Sequence, residues 1–254
     1  MRILICGKGG SGKSTISSLL AKEIARIGNK VLVIDTDESN FGVHMQLGMD
    51  KPDDFMNYFG GKKVLFEKTK RLREKWKIGD LPDEYISEKG NIKLMVMGKI
   101  YDFGEGCACP INALASKFLE VLELSENEFL IADTDAGVEH FGRGVENGCD
   151  FIIAVIDPSR ESILLAEKIY KLGQQANKPV YYVLNKVKKE IEKELLASVV
   201  KNRVAAIIAE NKNIFRANLT GAELDFDVKG INELANLVGS ENNIDDKIDI
   251  LKRV

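Results

Sequence analysis

Short, continuously apolar runs recur along the chain at 2–6, 30–35, 92–97, 129–133, 151–156, 180–184 and 204–208, with longer amphipathic segments between them. Runs that are apolar at every position, rather than at alternate ones, suit strands covered on both faces. The pattern therefore predicts an α/β fold, a single doubly wound, mainly parallel sheet flanked by helices. The clearest helix spans 14–27, where Ile16, Leu19, Leu20, Ile24 and Ile27 share one stripe and Gly28 is placed to end it.

The rhythm breaks over 51–90. Charge clusters between Lys62 and Lys77 and the Gly60-Gly61 pair make this stretch a helical insertion on the surface of one domain spanning 1–254. Its plain reading is a solvated charged face. The tail from Glu241 reads as a short polar helix or a frayed end.

Composition narrows the function classes. With 44% hydrophobic and 30% charged residues the chain is an ordinary globular protein. A net charge of −3, with Lys and Arg spread along the chain, lacks the basic footprint of a nucleic-acid binder, so no nucleic-acid partner is expected. Met1 to Cys6 is too short for a signal peptide, and no run approaches the roughly 20 apolar residues that span a bilayer. The expectation is a cytoplasmic protein with no membrane partner, whose four cysteines stay reduced.

Gly7-Lys8-Gly9-Gly10-Ser11-Gly12-Lys13-Ser14 fits G-x-x-x-x-G-K-[ST] and lies between a predicted strand and a predicted helix, the context this motif requires. Gly9, Gly10, Ser11 and Gly12 would turn backbone N–H groups toward the phosphates of ATP, Lys13 would reach the β and γ phosphates, and Ser14 would ligate Mg²⁺. Thr15 is a backup hydroxyl. Asp35-Thr36-Asp37 ends an apolar strand, where a carboxylate faces the ligand crevice of such a sheet, although Asp37 or Ser39 could equally cap a helix. Asp133, ending the run 129–133, is placed to bind a Mg²⁺-coordinated water. Asn185-Lys186-Val187-Lys188 begins like the guanine-reading N-K-x-D but carries lysine in place of the aspartate. Asn185 alone suits adenine N6 and N7, which favours ATP over GTP; its other reading is a turn asparagine.

Gly106-Cys107-Ala108-Cys109-Pro110 is the unusual feature. Two cysteines one residue apart do not easily close an unstrained disulfide, and both thiolates can face one ion. One chain supplies two sulfurs, so a four-coordinate soft site needs two chains. The alternative is two small buried residues before a helix start. Cys6 and Cys149 fit core positions.

Lys8 is an additional lysine within the loop. This form resembles the deviant phosphate loop of the MinD, ParA, arsenite-pump ATPase and nitrogenase iron-protein group. The resemblance implies that Lys8 reaches across a homodimer to the partner's nucleotide, that Asp37 orients or deprotonates the attacking water, and that Asp35 helps hold Mg²⁺ through its water shell. It also makes Asp133-Thr-Asp135-Ala-Gly137 the second switch, with the Gly137 amide free to sense the γ-phosphate. Together with the C-x-C ahead of 129–133, and Asp135-Ala-Gly-Val-Glu-His140 followed by Arg143-Gly144, the loop is similar to the carbon monoxide dehydrogenase maturation ATPases called CooC, whose relatives serve acetyl-CoA synthase. The similarity runs from Met1 to about Ile208. It implies that ATP drives dimerisation, that paired Cys107 and Cys109 hold Ni²⁺, and that hydrolysis releases it to the apo client enzyme; Zn²⁺ could occupy the same thiolates. His140 is either a third ligand or, the expected case, a capping or core residue.

Two other readings share the fold. An electron donor like the nitrogenase iron protein would hold a cluster between chains, but that family spaces its cysteines far apart. A positioning ATPase of MinD or ParA type would need a basic face or tail, and residues 244–254 carry as many acids as bases.

Overall fold

A computed structural model describes residues 1–61, 72, 74–101, 109–138, 141, 144–199 and 203–239. The strands are β1 (Arg2–Gly7), β2 (Lys30–Asp35), β3 (Trp76–Lys77), β4 (Ser87–Lys89), β5 (Ile92–Val96), β6 (Leu122–Glu123), β7 (Glu128–Asp133), β8 (Phe151–Ile156), β9 (Val180–Val187) and β10 (Val204–Ala209). The described α-helices are α1 (Lys13–Arg26), α2 (Val43–Leu47), α3 (Cys109–Val121), α4 (Arg160–Gln175), α5 (Glu192–Ala197), α6 (Lys212–Thr220) and α7 (Lys229–Val238).

Eight strands form one sheet in the order β10-β9-β8-β1-β7-β2-β5-β4. Every adjacent pair is parallel except β4 with β5 at the edge. All seven apolar runs are strands of this sheet, and the doubly wound architecture is as expected. Both faces are covered. In β1, Leu4 and Cys6 join the core on the face covered by α3 and α4, whereas Ile3 and Ile5 join the core against α1 and α7. This two-sided burial is why the runs lack polar alternation, and each fully buried Leu, Ile or Val contributes about 1.5–3 kcal/mol.

The chain leaves β1 for β2 by passing over β7, so connections diverge around the centre of the sheet. Ligand crevices open at such a point, outside the strands' carboxyl ends. Gly7, Asp35 and Asp133 all sit there. Register places Asp35 beside Asp133 across β2 and β7.

Two local expectations need correction. Helix α1 ends at Arg26, not at residue 27: Gly28 takes a left-handed φ of 98°, and Ile27 becomes the cap residue, 46% exposed rather than part of the buried stripe. The segment 51–90 is not a purely superficial helical insertion. Its described parts are 3-10 turns at Phe55–Phe59, Ile78–Asp80 and Asp83–Tyr85 together with short strands. Phe55, Met56, Phe59, Ile78 and Leu81 are core residues, and the Phe55 ring meets Trp76, Tyr85 and Phe118 edge-on. The apolar positions are irregularly spaced, so no helical or strand period marked them. Most of the charged run, residues 62–71 and 73, lies outside the described residues, as do the tail from 240 and His140.

Candidate functional site

Between Gly7 and Lys13 the backbone turns back on itself, with Gly10 at φ 79° and Gly12 at φ 99°, a conformation that favours glycine. Gly12 is also crowded: a Cβ there would stand 2.3 Å from Asn185 Nδ2. The Ser11 N–H donates to Lys8 O at 3.1 Å, while Ser11 Oγ is buried with no hydrogen-bond partner. Helix α1 starts with no side-chain cap, so its first N–H groups face the loop. Lys13 is 7% exposed, and its Nζ meets Lys8 O at 3.5 Å. Orphaned Ser11 Oγ, left-handed glycines and an underpaired buried ammonium fit a polyphosphate. The cleft above the loop measures about 1070 Å³ and includes Gly9, Gly10, Gly12, Lys13, Ser14, Thr15 and Asp37 in its wall.

Asp133 is fully buried at the end of β7. The Ser14 hydroxyl donates to its Oδ2 at 2.6 Å and Ser17 to its Oδ1 at 2.9 Å. Burial raises the carboxyl above its ordinary range, opposed by those two hydroxyls and by Lys13. Ser14 and Asp133 therefore meet as a hydroxyl–carboxylate pair suited to Mg²⁺ and its water shell. Asn40, which the sequence did not single out, donates from Nδ2 to Ser14 Oγ at 2.6 Å. Thr15 faces sideways: Gln46 of α2 and Asn218 of α6 donate to its hydroxyl at 3.4 and 3.2 Å.

Asp37 lines the cleft and accepts from Ser39 N and Oγ at 2.9 and 2.6 Å, so the turn-capping geometry and a cleft-facing position coexist. Asp35 does not fit its expected place beside Mg²⁺. It is 2% exposed; Lys99 Nζ donates to its Oδ2 at 2.6 Å, and the Asp37 N–H donates to its Oδ1 at 3.1 Å. Burial pushes its carboxyl up to about 7, with Lys99 pulling the other way and Asp133 and Asp37 adding to the rise. Both oxygens are committed inside the protein. Lys99 was missed because its partner is 64 positions away and no local pattern joins them.

Asn185 is also turned from its expected task. Its Nδ2 donates to Ser11 O at 2.8 Å and braces the phosphate loop, and Lys186 Nζ reaches Gly10 O at 2.7 Å. The far end of the cleft is walled by α6, where Phe215 is 70% exposed and Leu219 74% exposed. The Gly137 N–H donates to Gly7 O at 3.2 Å, so in this structure it is engaged rather than open to a ligand. Asp135 follows the end of β7, half-buried.

Lys8 lies against its own protomer, with Nζ 3.2 Å from Ser159 Oγ, 3.6 Å from Asp157 and 3.7 Å from Glu161 at the start of α4. Cys109 is exposed at the first residue of α3, whereas Cys107 lies outside the described residues. Among the described residues no three metal-ligating side chains cluster. Cys6 and Cys149 are core residues as expected; burial raises both thiols, Cys149 to about 12. No described helix is long and apolar enough to cross a membrane.

Comparison with known proteins adds context to this geometry. A family model described as the CobQ/CobB/MinD/ParA nucleotide binding domain matches residues 3–224. The chain is 50% identical over 250 residues to an uncharacterized ATP-binding protein of Methanocaldococcus jannaschii, covering 94% of this chain and 99% of that one. It is 28% identical over 201 residues to the carbon monoxide dehydrogenase accessory protein CooC of Rhodospirillum rubrum, covering 76% of each. The septum site-determining protein MinD of Pyrococcus horikoshii OT3, solved with Mg-ADP, superposes with a TM-score of 0.69 at 17% identity, covering 95% of this chain and 99% of that one.

Proposed function

The chain belongs to the CobQ/CobB/MinD/ParA nucleotide-binding family and is a P-loop ATPase, and on that premise we propose that it is a metallochaperone that dimerises with ATP and delivers Ni²⁺ to a carbon monoxide dehydrogenase or acetyl-CoA synthase. The observation that carries this reading is the contrast among the cysteines: Cys109 of the C-x-C is exposed at the head of α3, while Cys6 and Cys149 are sealed in the core. Similarity to CooC supports the class of client. Two thiolates per chain and a preference of soft ligands for four-coordinate sites favour a cargo ion shared by two protomers, with Cys107 and Cys109 from each.

In the ATPase step, Lys13 and the loop amides bind and orient the phosphates, and Asp37 holds the attacking water. Ser14 and Asp133 would hold Mg²⁺, which when bound neutralises charge on the phosphates. Asn40 and Ser17 keep the hydroxyl and carboxylate of that pair in register. Lys8 moves from Ser159 and Asp157 to the partner's nucleotide, so the contacts it leaves just ahead of α4 oppose dimerisation until ATP is present.

The test is metal content and oligomeric state measured together: light scattering after size exclusion and elemental analysis, with and without ATP, after incubation with Ni²⁺ or Zn²⁺. The expected result is one metal per ATP-bound dimer in the wild type and none in C107S/C109S. An ATP-dependent dimer without metal points instead to a positioning ATPase. Iron with inorganic sulfide points to an electron donor.

A further inference from the structure

Lys99 is a buried lysine with no part in the chemistry described so far. Its side chain is 1% exposed, and an ammonium removed from water costs several kcal/mol unless it is paired, so its partners are informative. Nζ donates to Asp35 Oδ2 at 2.6 Å and to the carbonyl oxygen of Asp37. Asp35 Oδ1 in turn accepts the N–H of Asp37 at 3.1 Å. Both backbone polar groups of residue 37 thus end on one ion pair.

The pair is itself anchored. The Lys99 N–H donates to Asp54 Oδ2 at 2.9 Å, and Asp54, 3% exposed, is held at its other oxygen by Lys51 at 2.7 Å and by the Tyr101 hydroxyl at 3.1 Å. The Ile100 N–H donates to Glu38 O at 3.2 Å, and the Phe41 ring lies 5.8 Å from Lys99 Nζ. The end of β2, residues 37–41, residues 51–54 and the exit of β5 therefore meet at one buried charge.

We propose that the Asp35–Lys99 pair is a clamp that sets the position of Asp37, which makes Lys99 a positioning residue for ATP hydrolysis. The clamp rests on the reading of Asp37 as the carboxylate that holds the attacking water. A carboxylate on the segment after a strand keeps its aim only if its backbone is fixed, and a displacement of about 1 Å at a reacting group can cost about 100-fold in rate. A purely structural pair would behave differently, since a buried ion pair replaced by neutral groups of similar size is often harmless.

The experiment compares wild type, D37N and D35N/K99M for kcat, KM and thermal midpoint, with rates expressed per folded molecule. The double variant removes both charges together, so no buried charge is left unpaired. Its carboxamide oxygen can still accept the Asp37 N–H, but the Asp37 carbonyl loses the Lys99 ammonium and keeps only the longer contact from the Asn40 N–H at 3.3 Å. Both variants are expected to lower kcat at least about fivefold with KM within about twofold of wild type. A smaller fall in D35N/K99M while D37N is impaired overturns the clamp and leaves Asp37 in its role. A loss that tracks KM or the folded fraction overturns it as well, because that is the signature of a structural pair. Wild-type turnover in D37N overturns the reading of Asp37 itself, and with it any need for a clamp.

Discussion

Two buried lysines, Lys13 after β1 and Lys99 after β5, stand at the carboxyl end of the sheet, and their surroundings are opposite. Lys99 has its charge answered by the protein, with a carboxylate and a carbonyl within hydrogen-bond reach. Lys13, 7% exposed, meets only a carbonyl at 3.5 Å among the described polar contacts. A buried charge must be compensated, and compensation can come from the chain or from a ligand. Lys99 therefore ties the segment after β2 to the exit of β5, whereas Lys13 has no such partner among the described polar contacts, as the proposed phosphate-binding role requires.

The sharpest way to break this distinction is Lys99→Met alone. Leaving Asp35 buried and unpaired is expected to cost about 3–5 kcal/mol in denaturant unfolding once its carboxylate ionises, at alkaline pH. The Asp35 carboxyl is raised to about 7, so the folded state takes up a proton that the unfolded state releases. Losing Lys99 removes the group that pulls this carboxyl down, so in the variant it rises further. Ionisation is the penalty; it grows as the pH is raised beyond 7 and is relieved as the pH falls, and the deficit of the variant is expected to shrink at pH 5. A deficit that is flat with pH would show that Asp35 is not the group left uncompensated.

Lys13→Ala is expected to do the reverse: hydrolysis falls by about 10²–10³-fold, equivalent to about 3–4 kcal/mol of transition-state stabilisation, while unfolding stability changes by no more than about 1 kcal/mol. If stability collapsed instead, Lys13 would be a structural lysine like Lys99. Next in size is Gly12→Ala, where positive φ and the 2.3 Å approach to Asn185 Nδ2 predict a loss of about 1–3 kcal/mol in stability together with impaired nucleotide binding. Unchanged ATP affinity in this variant would remove Asn185 as a brace of the loop. The smallest effect is expected for Glu223→Gln, away from the cleft, where Lys22 and Lys89 share one partly exposed carboxylate. Its unfolding midpoint is expected to drop by the equivalent of about 1 kcal/mol or less, with ATP turnover unchanged.

Much of the architecture could be read before the structure. The seven apolar runs are the seven parallel strands of the eight-stranded sheet, and the glycine-rich loop falls between β1 and α1 as its motif requires. Asp133 and Ser14 were assigned to one ion and do meet at 2.6 Å. Other assignments named a residue and missed its partner. The resemblance implies Mg²⁺ for Asp35, and neither a resemblance nor a place at a strand end reveals a lysine emerging from β5. Asn185 was matched to adenine from its motif, yet its amide is turned onto the loop. Phe55 and Ile78 were hidden in a segment without period, because an irregular turn buries side chains at spacings set by its neighbours. Asn40 carried no signal, being one polar residue in a polar turn.

The sequence alone determined the seven parallel strands of the large sheet, the phosphate loop between β1 and α1, and the burial of Cys6 and Cys149. These features depend on local backbone preference and on which faces are buried, and both leave a periodic or contiguous trace. Only the tertiary structure decided which carboxylate is clamped and which faces the cleft, where Lys8 rests, and how residue 99 is tied to residue 37. Such pairings join positions far apart in the chain, and they are chosen in the packed interior, where a buried charge or polar group is costly unless the surrounding chain or a ligand compensates it.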